Sequence, residues 1–586
     1  MKKIITFIAI LLFAAKAFAG TYYVSPDGTA PWPSCTNSSS PCSLATANAN
    51  AIAGDTILLR GGTYTLSGGN GIAPAHSGTL ANKITYAAAP GEIPIITQSG
   101  TSSYGLLINV NYIIVDGITF QDIYAWIYMQ YSASYNEIKN CVFKSTSQAT
   151  AAGVGVFMMG CTCPTKDCWL THNWFHHNTF SKKFSGNPCG EATDIMKIGC
   201  APGSGYGPDE SNYNTVENNY FEYAAHALFD QFGRFTVFKN NVLHNEPWMT
   251  GCTSSTKVIP NGIPTYENPA YNGKFGHRCV QVTDGYSRDA TYVLVEGNRI
   301  GHAGVNPNNA GPSNLDLAAP KNIVRYNFLY NGMQSGIFIK YAGATGYPGR
   351  GGMENRIYNN TIYHHGYGFD WVNNWINNGF WRSGQGITQY TSGANSNNVI
   401  KNNLLYDNHD GDICWLRSSI GCSPSSVDIV TNNWMTTNGD PKFVNPDLSN
   451  TSSSILPDLS LQASSGAING GTYLTTAVGA GTNSTTLVVT DALYFQDGTW
   501  GSLLARNVTH FPDWIAIGTV GNVVKISSIN YTTKTITLAS AKTWSNGASI
   551  WLYKKSDGVQ VLYGTAPDMG AYEYSGATSL PPPPRQ

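Results

Sequence analysis

The sequence predicts an all-β protein in which short strands stack as the coils of a solenoid, and three observations support this. Eight short phrases alternate apolar and polar residues and run into asparagine, as in YNEIKNCVF from Tyr135 to Phe143. A period of two is typical of β-strands, and a phrase repeated this often indicates a repeat architecture. Apolar residues at helical spacing are nearly absent after about residue 55, which disfavours helical architectures.

An asparagine stands at a similar place in each phrase, and its spacing indicates the size of a coil. With His172-Asn173 included, these residues are Asn140, Asn173, Asn218, Asn240, Asn298, Asn327, Asn359, Asn402 and Asn432. The smallest gap, 240 − 218 = 22 residues, suits three short strands and three turns. Asparagine tolerates left-handed backbone and can bond to its equivalent one coil away, so we expect a structural ladder at one corner. A sandwich or propeller also has many short strands but does not explain the repeated asparagine.

The two ends of the chain differ from the repeats. Ser43 to Ala53 is rich in alanine and begins with a serine cap, which predicts a short helix over the first coil. Thr472 to Tyr563 lacks the asparagine phrase and predicts a small inserted β module, whose tryptophans indicate a core more than a carbohydrate site. The predicted division is a signal peptide (1–19), a solenoid with its N-terminal cap (20–471), the module (472–565) and a closing segment with a Pro-rich tail (566–586).

Both ends also carry a family resemblance. Tyr22 to Gly28 (YYVSPDG), followed by Gly54 to Tyr64 (GDTILLRGGTY), resembles the N-terminal cap and first strand of bacterial pectate-lyase-like β-helix proteins. Gly439 to Val444, Leu459 to Gly470 and Ala566 to Tyr574 resemble the closing segments of the same group, although no apolar anchor follows. The resemblance implies a right-handed parallel β-helix of about nine to twelve coils, roughly 45–60 Å long, and contact with polysaccharide. It also admits Ca²⁺ as a cofactor, but such proteins differ widely in activity.

The N-terminal residues predict the cellular location, and the net charge limits the classes of partner. Lys2 and Lys3 precede an apolar run from Ile4 to Ala15, and Ala17-Phe18-Ala19 fits a signal peptide cleaved after Ala19. The run is shorter than the roughly 20 residues that span a bilayer. We therefore expect a secreted protein, extracellular or periplasmic, with no membrane span. A formal net charge of −1 with 12% charged residues argues against a nucleic-acid binder, and we expect a monomer whose partner is polysaccharide.

The 12 cysteines fit an oxidising compartment. Three pairs lie close in sequence and predict loop disulfides, namely Cys35 and Cys42, Cys189 and Cys200, and Cys414 and Cys422. Metal binding by Cys161, Cys163 and Cys168 is the competing interpretation, but their spacing is not that of a zinc site.

The strand after each asparagine phrase is expected to form the long parallel sheet that carries active sites in proteins of the resembled family. The candidate segments are Trp126 to Tyr131, Gly153 to Met158, Asp194 to Ile198, Ala227 to Phe232, Cys279 to Asp284, Gly336 to Tyr341 and Asp412 to Leu416. Equivalent residues of adjacent coils lie about 4.8 Å apart, so distant residues align in one column. That column is predicted to contain Asp194, Lys197, His226, Asp230, Arg278, Asp284 and Lys340. A solvated face with offsetting ion pairs is the alternative.

Two chemistries could use this column. Lyase cleavage of an acidic sugar needs a cation to neutralise the carboxylate and a base to remove the neighbouring proton. Lys197, Lys340 or His226 could supply the base, and Arg278 the cation. Hydrolysis needs two carboxylates, about 5 Å apart for retention and about 6.5–9.5 Å for inversion, which Asp194, Asp230 and Asp284 could supply. We find no motif that decides between the two reactions.

A stretch from Tyr363 to Tyr390 is dense in aromatic residues and predicts a long loop beside the sheet. Its candidate sugar contacts are Tyr367, Trp371, Trp375, Trp381 and Arg382, to which Asp194 and Asp284 of the column are added as substrate-binding residues. A self-packed loop is the alternative. The predicted function is a polysaccharide lyase or glycoside hydrolase acting on a uronic-acid or related polymer. A non-catalytic glycan-binding or structural protein of the cell surface or matrix remains the alternative.

Overall fold

The structure of the protein is a computed structural model. It describes residues 19–100, 103–131, 133–146, 155–158, 170–183, 194–199, 211–224, 227–244, 278–283, 291–301, 313–332, 334–339, 351–367, 384–390, 397–416, 422–423, 428–448 and 456–576. Of these, residues 182, 183, 278–283, 390, 416, 422 and 423 are described by their backbone alone.

Three long sheets run along the molecule, and eleven coils contribute one strand to each sheet in the order A, B, C. Sheet A has 13 parallel strands, Thr21–Val24, Thr56–Leu59, Ile84–Ala88, Ile113–Asp116, Glu137–Lys139, Trp174–His176, Thr215–Glu217, Val237–Lys239, Leu294–Glu296, Ile323–Arg325, Arg356–Tyr358, Val399–Lys401 and Ile429–Thr431. Sheet B has 11 parallel strands, Gly62–Leu66, Pro94–Gln98, Thr119–Gln121, Val142–Lys144, Thr179–Lys183, Tyr220–Ala224, Val242–His244, Arg299–Gly301, Phe328–Tyr330, Thr361–Tyr363 and Leu404–Tyr406.

Sheet C has 12 strands, Asn70–Ile72, Tyr104–Ile108, Ala125–Met129, Val156–Met158, Met196–Ile198, Ala227–Gln231, Arg278–Thr283, Leu315–Ala318, Ile337–Ile339, Ile387–Tyr390, Ile413–Leu416 and Cys422–Ser423. All neighbours in sheet C are parallel except the last pair. The predicted right-handed parallel β-helix is confirmed, and all seven candidate segments contribute a strand to sheet C. Among the described residues, eleven coils supply a strand to all three sheets, within the predicted nine to twelve, and sheet A has one further strand at each end.

The repeated asparagines occupy three different positions, which corrects the expectation of a single one. Six of them adopt positive φ at the bend between sheets A and B, namely Asn140, Asn218, Asn240, Asn359, Asn402 and Asn432. Asn298 and Asn327 stand one residue later, in a buried ladder in which Asn298 Nδ2 donates to Asn327 Oδ1 at 2.9 Å. Asn173 belongs to a second ladder at the entry to sheet A, where its Nδ2 donates to Asn214 Oδ1 at 3.2 Å. Two neighbouring residues therefore have separate roles. The first adopts the left-handed backbone of the bend, and the second forms the hydrogen-bonded ladder.

The interior of the helix is filled by side chains that stack from coil to coil. Phe120, Phe143, Phe180 and Phe221 form one such stack, with ring centroids 4.8 to 4.9 Å apart. This distance matches the strand spacing of about 4.8 Å. The N-terminal end is covered by the helix Leu44–Asn50, whose Ser43 side chain accepts a hydrogen bond from the Thr46 N–H at 3.1 Å. The predicted serine-capped helix is therefore present.

The cysteines near this cap differ from the expectation. Cys35 and Cys42 are buried free thiols, so the loop disulfide predicted for this pair is not formed in the structure. Cys141 is also a buried free thiol, whereas Cys414 is disulfide-bonded. Cys161, Cys163, Cys168, Cys189 and Cys200 lie outside the described residues.

The C-terminal part forms antiparallel sheets that pack against the outside of the β-helix. One sheet pairs Phe443–Asn445 with Asp458–Leu461, after a short 3-10 helix at Thr436–Asn438. The other has six strands, Thr475–Thr476, Gly481–Val488, Trp514–Ile517, Val523–Asn530, Thr535–Trp544 and Ser549–Lys554. We call the six-stranded sheet with its loops the module. Trp500 of the module is 1% exposed and packs in a core with Val237 and Leu294 of sheet A. The predicted domain limits stay a prediction.

No helix among the described residues is long and apolar enough to cross a bilayer.

Candidate functional site on sheet C

The outer face of sheet C presents one row of side chains that runs along the helix axis. Met196 and Ile198 belong to the core, so Lys197 between them lies on the outer face. Its backbone register pairs it with Phe157 in one neighbouring strand and with Asp230 in the other. In the backbone register from coil to coil, the positions of this outer row are Leu107, Tyr128, Phe157, Lys197, Asp230, Gln281 (backbone only), Asp316, Phe338, Thr388 and Cys414. Adjacent members are about 4.8 Å apart.

The Lys197 ammonium lies between two carboxylates. Its Nζ is 3.6 Å from Asp230 Oδ2 and 3.8 Å from Asp194 Oδ2. The ring centroid of Phe232 lies 5.1 Å from the same nitrogen. The Lys197 side chain is 14% exposed, against 5% for Asp194 and 2% for Asp230. Lys197 is therefore the member of this triad that a ligand reaches most readily.

The carboxylates of the row are held by the chain around them. Asp194 Oδ1 accepts a hydrogen bond from the Ala227 N–H at 3.0 Å, which ties its coil to the next. Asp316 is fully buried and accepts a hydrogen bond from Ser313 Oγ at 2.5 Å. Gln281 stands between Asp230 and Asp316 in the register, so these two aspartates are separated by two coil steps, about 9.6 Å along the axis.

A buried column of polar side chains, Asn314, His365 and Asn408, lies at the corner before sheet C and links three coils. Asn314 Nδ2 lies 3.2 Å from His365 Nε2, and His365 Nδ1 lies 3.1 Å from Asn408 Oδ1. Burial lowers the pKa of His365 to about 3, which keeps the imidazole neutral. A neutral ring can accept from Asn314 while it donates to Asn408. His365, a member of the aromatic stretch, therefore has a structural role.

The structure brings together three of the predicted site residues, Asp194, Lys197 and Asp230. Arg278 starts a strand of the same sheet, but its backbone pairs with Ala227, and Gln281 is the residue opposite Asp230. The predicted alignment of Arg278 with Asp230 is therefore corrected. Seven predicted residues lie outside the described part of the chain, namely His226, Asp284, Lys340, Trp371, Trp375, Trp381 and Arg382.

Tyr367 is described, and it lies far from Lys197 along the axis. It follows the strand Thr361–Tyr363, which precedes the sheet C strand of Thr388. From Lys197 to Thr388 the outer row takes five coil steps, about 24 Å. Tyr367 OH donates to Asp407 Oδ1 at 2.6 Å, and its ring stacks on His364 with centroids 4.0 Å apart. Tyr367 is thus part of a local cluster and does not flank Lys197.

Sequence reasoning missed Gln281 and Asp316 as members of the row. Asp316 lies in Leu315–Ala318, whose Leu315 and Leu317 are core residues. The signal was an Asp between two leucines, in the strand that follows the asparagine phrase Tyr292 to Ile300. Gln281 was passed over because uncharged residues were not considered for the column.

The comparisons with known proteins agree with this architecture. Residues 22–179 match the family model described as "Pel9A-like, right handed beta helix region". This part of the chain is therefore similar to the β-helix region of Pel9A-like proteins. The solved pectate lyase Pel9A has a TM-score of 0.44 at 16% identity, over 78% of this chain and 92% of that chain. A rhamnogalacturonan lyase has a TM-score of 0.41 at 14% identity, over 76% of this chain and 97% of that chain.

A third solved structure is a PL6 family polysaccharide lyase from Pseudopedobacter saltans, with a TM-score of 0.35 at 16% identity, over 67% of this chain and 90% of that chain. No curated protein matches the sequence. The Pel9A-like segment includes Tyr128 and Phe157 of the outer row and ends before Lys197.

The described residues do not fit the Ca²⁺ that the resemblance to pectate-lyase-like proteins admits. Ca²⁺ takes six to eight oxygen ligands. Among the residues that the structure describes, no group of three His, Cys, Asp or Glu side chains could hold a metal ion. The two adjacent carboxylates of the site, Asp194 and Asp230, share the Lys197 ammonium. We therefore derive no step that uses a metal ion.

Proposed function

We propose that this protein is a polysaccharide lyase that cleaves a uronic-acid polymer at the outer row of sheet C. The observation that carries the proposal is the position of Lys197, a partly exposed amine within 4 Å of a buried carboxylate, on a parallel β-helix whose residues 22–179 match the Pel9A-like model. The match of residues 22–179 to the Pel9A-like model, together with the resemblance of both chain ends to pectate-lyase-like proteins, supports an acidic polysaccharide as the class of substrate.

Lys197 and Asp230 can act as an acid–base pair. A bound sugar excludes water from the pair, and desolvation penalises a buried pair of opposite charges. Transfer of one proton from the Lys197 ammonium to Asp230 Oδ2 gives a neutral amine and a neutral carboxylic acid. The separation of 3.6 Å requires only a small side-chain rotation for this transfer.

The neutral amine then accepts the proton on the carbon next to the substrate carboxylate. The electron pair of that C–H bond forms the new C=C bond, and the adjacent C–O bond to the next sugar breaks. The leaving oxygen takes the proton of the Asp230 carboxylic acid. Both groups thereby return to their starting charges, so the cycle needs no other reactant.

A further cation is required, because Lys197 faces the negative charges of both Asp194 and Asp230. An acidic polymer is repelled by such a triad unless another positive group neutralises the substrate carboxylate. We assign this role to one of the sequence candidates, Arg278, His226 or Lys340, of which Arg278 starts the strand next to that of Asp230. This assignment is part of the proposal.

A lysine exchange tests the role of Lys197. Polygalacturonate, alginate and rhamnogalacturonan are each incubated with the protein, and the absorbance of unsaturated ends and the release of reducing ends are followed. Lys197→Ala should lower kcat by about 10²–10⁴-fold. Lys197→Arg should be equally inactive, because arginine keeps the charge but does not lose its proton. Lys442→Ala is the matched control, since Lys442 pairs with Asp440 at 2.8 Å on the exposed surface.

The same assay decides between lyase and hydrolase. Full activity of Lys197→Arg would show that the amine supplies charge and not a base, which contradicts the mechanism. Reducing ends without unsaturated ends would favour hydrolysis instead. One observation supports that second candidate, since Asp230 and Asp316 are about 9.6 Å apart along the row, close to the separation of carboxyl groups in inverting enzymes. Neither product, with retained polymer binding, would favour the non-catalytic alternative.

A further inference from the structure

An aromatic strip adjoins Lys197 on its N-terminal side. Tyr128 and Phe157 occupy the two positions of the outer row that precede Lys197. The Tyr104 ring stacks on Tyr128 with centroids 4.8 Å apart, and the Tyr128 and Phe157 rings are 6.0 Å apart. All three side chains are half-buried. We call Tyr104, Tyr128 and Phe157 the aromatic strip.

The ring geometry leaves part of the aromatic surface available. Rings in full face-to-face contact are about 3.5 Å apart, the contact distance of carbon atoms. Centroid distances of 4.8 and 6.0 Å with interplanar angles of 21° and 20° therefore require the rings to be offset. Each of the three side chains is also only half-buried, so part of its surface is accessible to the C–H face of a sugar.

Charge also favours this side of Lys197 for an acidic polymer. On the C-terminal side the row continues with the carboxylates of Asp230 and, two steps later, Asp316. On the N-terminal side Leu107, Tyr128 and Phe157 carry no charge. A polyanion can therefore reach Lys197 along an uncharged part of the row.

We propose that the aromatic strip binds the sugar rings of the acidic polysaccharide, so that the polymer lies along the helix axis from the Leu107 coil to Lys197. This span is three coil steps, about 14 Å. The inference rests on the proposed function, because it takes its ligand from that site. Burial raises the pKa of Tyr128, so its hydroxyl stays protonated and can donate to a sugar hydroxyl.

Affinity electrophoresis tests the strip without turnover. The proteins carry Lys197→Ala and run in native gels that contain polygalacturonate, alginate or rhamnogalacturonan. Adding Tyr128→Ala or Phe157→Ala should weaken retardation by the polymer that binds, with an apparent Kd about 3- to 10-fold higher. Tyr128→Phe, which keeps the ring, should change the Kd little. The matched control is Tyr112→Ala, since Tyr112 stacks on Tyr135 with centroids 4.9 Å apart before sheet A and outside the outer row.

The outcomes separate the strip from the catalytic proposal. Equal retardation of the Tyr128→Ala, Phe157→Ala and Tyr112→Ala proteins would overturn the strip, as would absence of retardation in all three polymers. If Lys197→Ala alone stays active while Tyr128→Ala weakens retardation, the strip is supported and the assignment of Lys197 is wrong. Tyr128→Gln, which keeps bulk without a ring, replaces Tyr128→Ala if the thermal midpoint of the alanine variant falls.

Discussion

Arg325 is expected to hold the module against sheet A, and its replacement should strongly destabilise the contact between the two. The side chain is fully buried, with Nη2 2.6 Å from Glu296 Oε2 of the preceding coil. It also donates to both carboxylate oxygens of Asp513 in the module, at 2.7 and 2.8 Å. Arg325→Met keeps most of the apolar volume but leaves these two carboxylates without their cation.

The magnitude follows from what remains around the carboxylates. Glu296 keeps a hydrogen bond from Ser556 Oγ at 2.5 Å, and Asp513 keeps one from Gln496 Nε2 at 2.8 Å. Neither contact supplies charge, and removal of one partner of a buried pair costs about 3–5 kcal/mol. We therefore expect Arg325→Met to lose about 3–5 kcal/mol of unfolding free energy. The module should then melt at a lower temperature than the β-helix.

Differential scanning calorimetry of the full chain provides the test, with Arg356→Met as the matched control. Arg356 also bridges sheet A and the module, through Asp491 at 2.6 Å, but its side chain is 13% exposed and that of Asp491 is 24% exposed. Because a partly solvated pair contributes less, the control should lose about 1 kcal/mol or less. Equal losses in both variants, or a single unchanged transition for Arg325→Met, would refute the reasoning.

Three further predictions concern the ends and corners of the molecule. Burial beside Asp568 raises the pKa of Glu573 to about 8. Near neutral pH the folded state therefore holds a proton on Glu573 that the unfolded state has released. Stability should consequently fall by up to about 2 kcal/mol from about pH 6.5 to 8 in thermal melts, and Glu573→Gln should flatten this slope. Cys35 and Cys42 are buried free thiols, and burial raises the pKa of Cys42 to about 12, so both should react slowly with an alkylating reagent in the native protein and readily after unfolding, as thiol titration would show. Asn298→Ala, in the middle of the buried ladder, should cost about 1–3 kcal/mol in denaturant unfolding, whereas Asn140→Ala at the exposed bend should cost less.

The fold was readable from the sequence because each coil repeats the same physical requirement. A strand needs alternating apolar residues, and a bend needs a residue that tolerates positive φ, so the phrases identify both. The exact roles of the asparagines were not readable, since Asn240 at the bend and Asn241 in the ladder are the same residue type in adjacent positions. Only the backbone conformation separates them.

The candidate site was readable in part, for a reason that lies in the register. Lys197 and Asp230 were aligned because both strands alternate charged and apolar residues in the same way. Arg278 was misaligned because its strand begins three residues before the position that pairs with Asp230. Tyr367 was placed beside the site because the length of a loop does not reveal its axial position. The first error concerns the register between two strands, and the second concerns the number of coils between two residues. Composition and spacing determine neither.

The C-terminal segments cover parts of two faces of the β-helix. The module packs on outward residues of sheet A, including Leu294 and Ile323. The sheet of Phe443–Asn445 and Asp458–Leu461 packs on outward residues of sheet B, including Phe328 and Leu404. These parts of sheets A and B are thus covered by the chain itself. On sheet C, the coils from Tyr104 to Lys197 keep half-buried aromatic rings and a partly exposed amine on their outer face. Since an apolar surface gains most from contact when it is not already covered, this region of sheet C is a surface where the proposed polysaccharide would gain binding free energy.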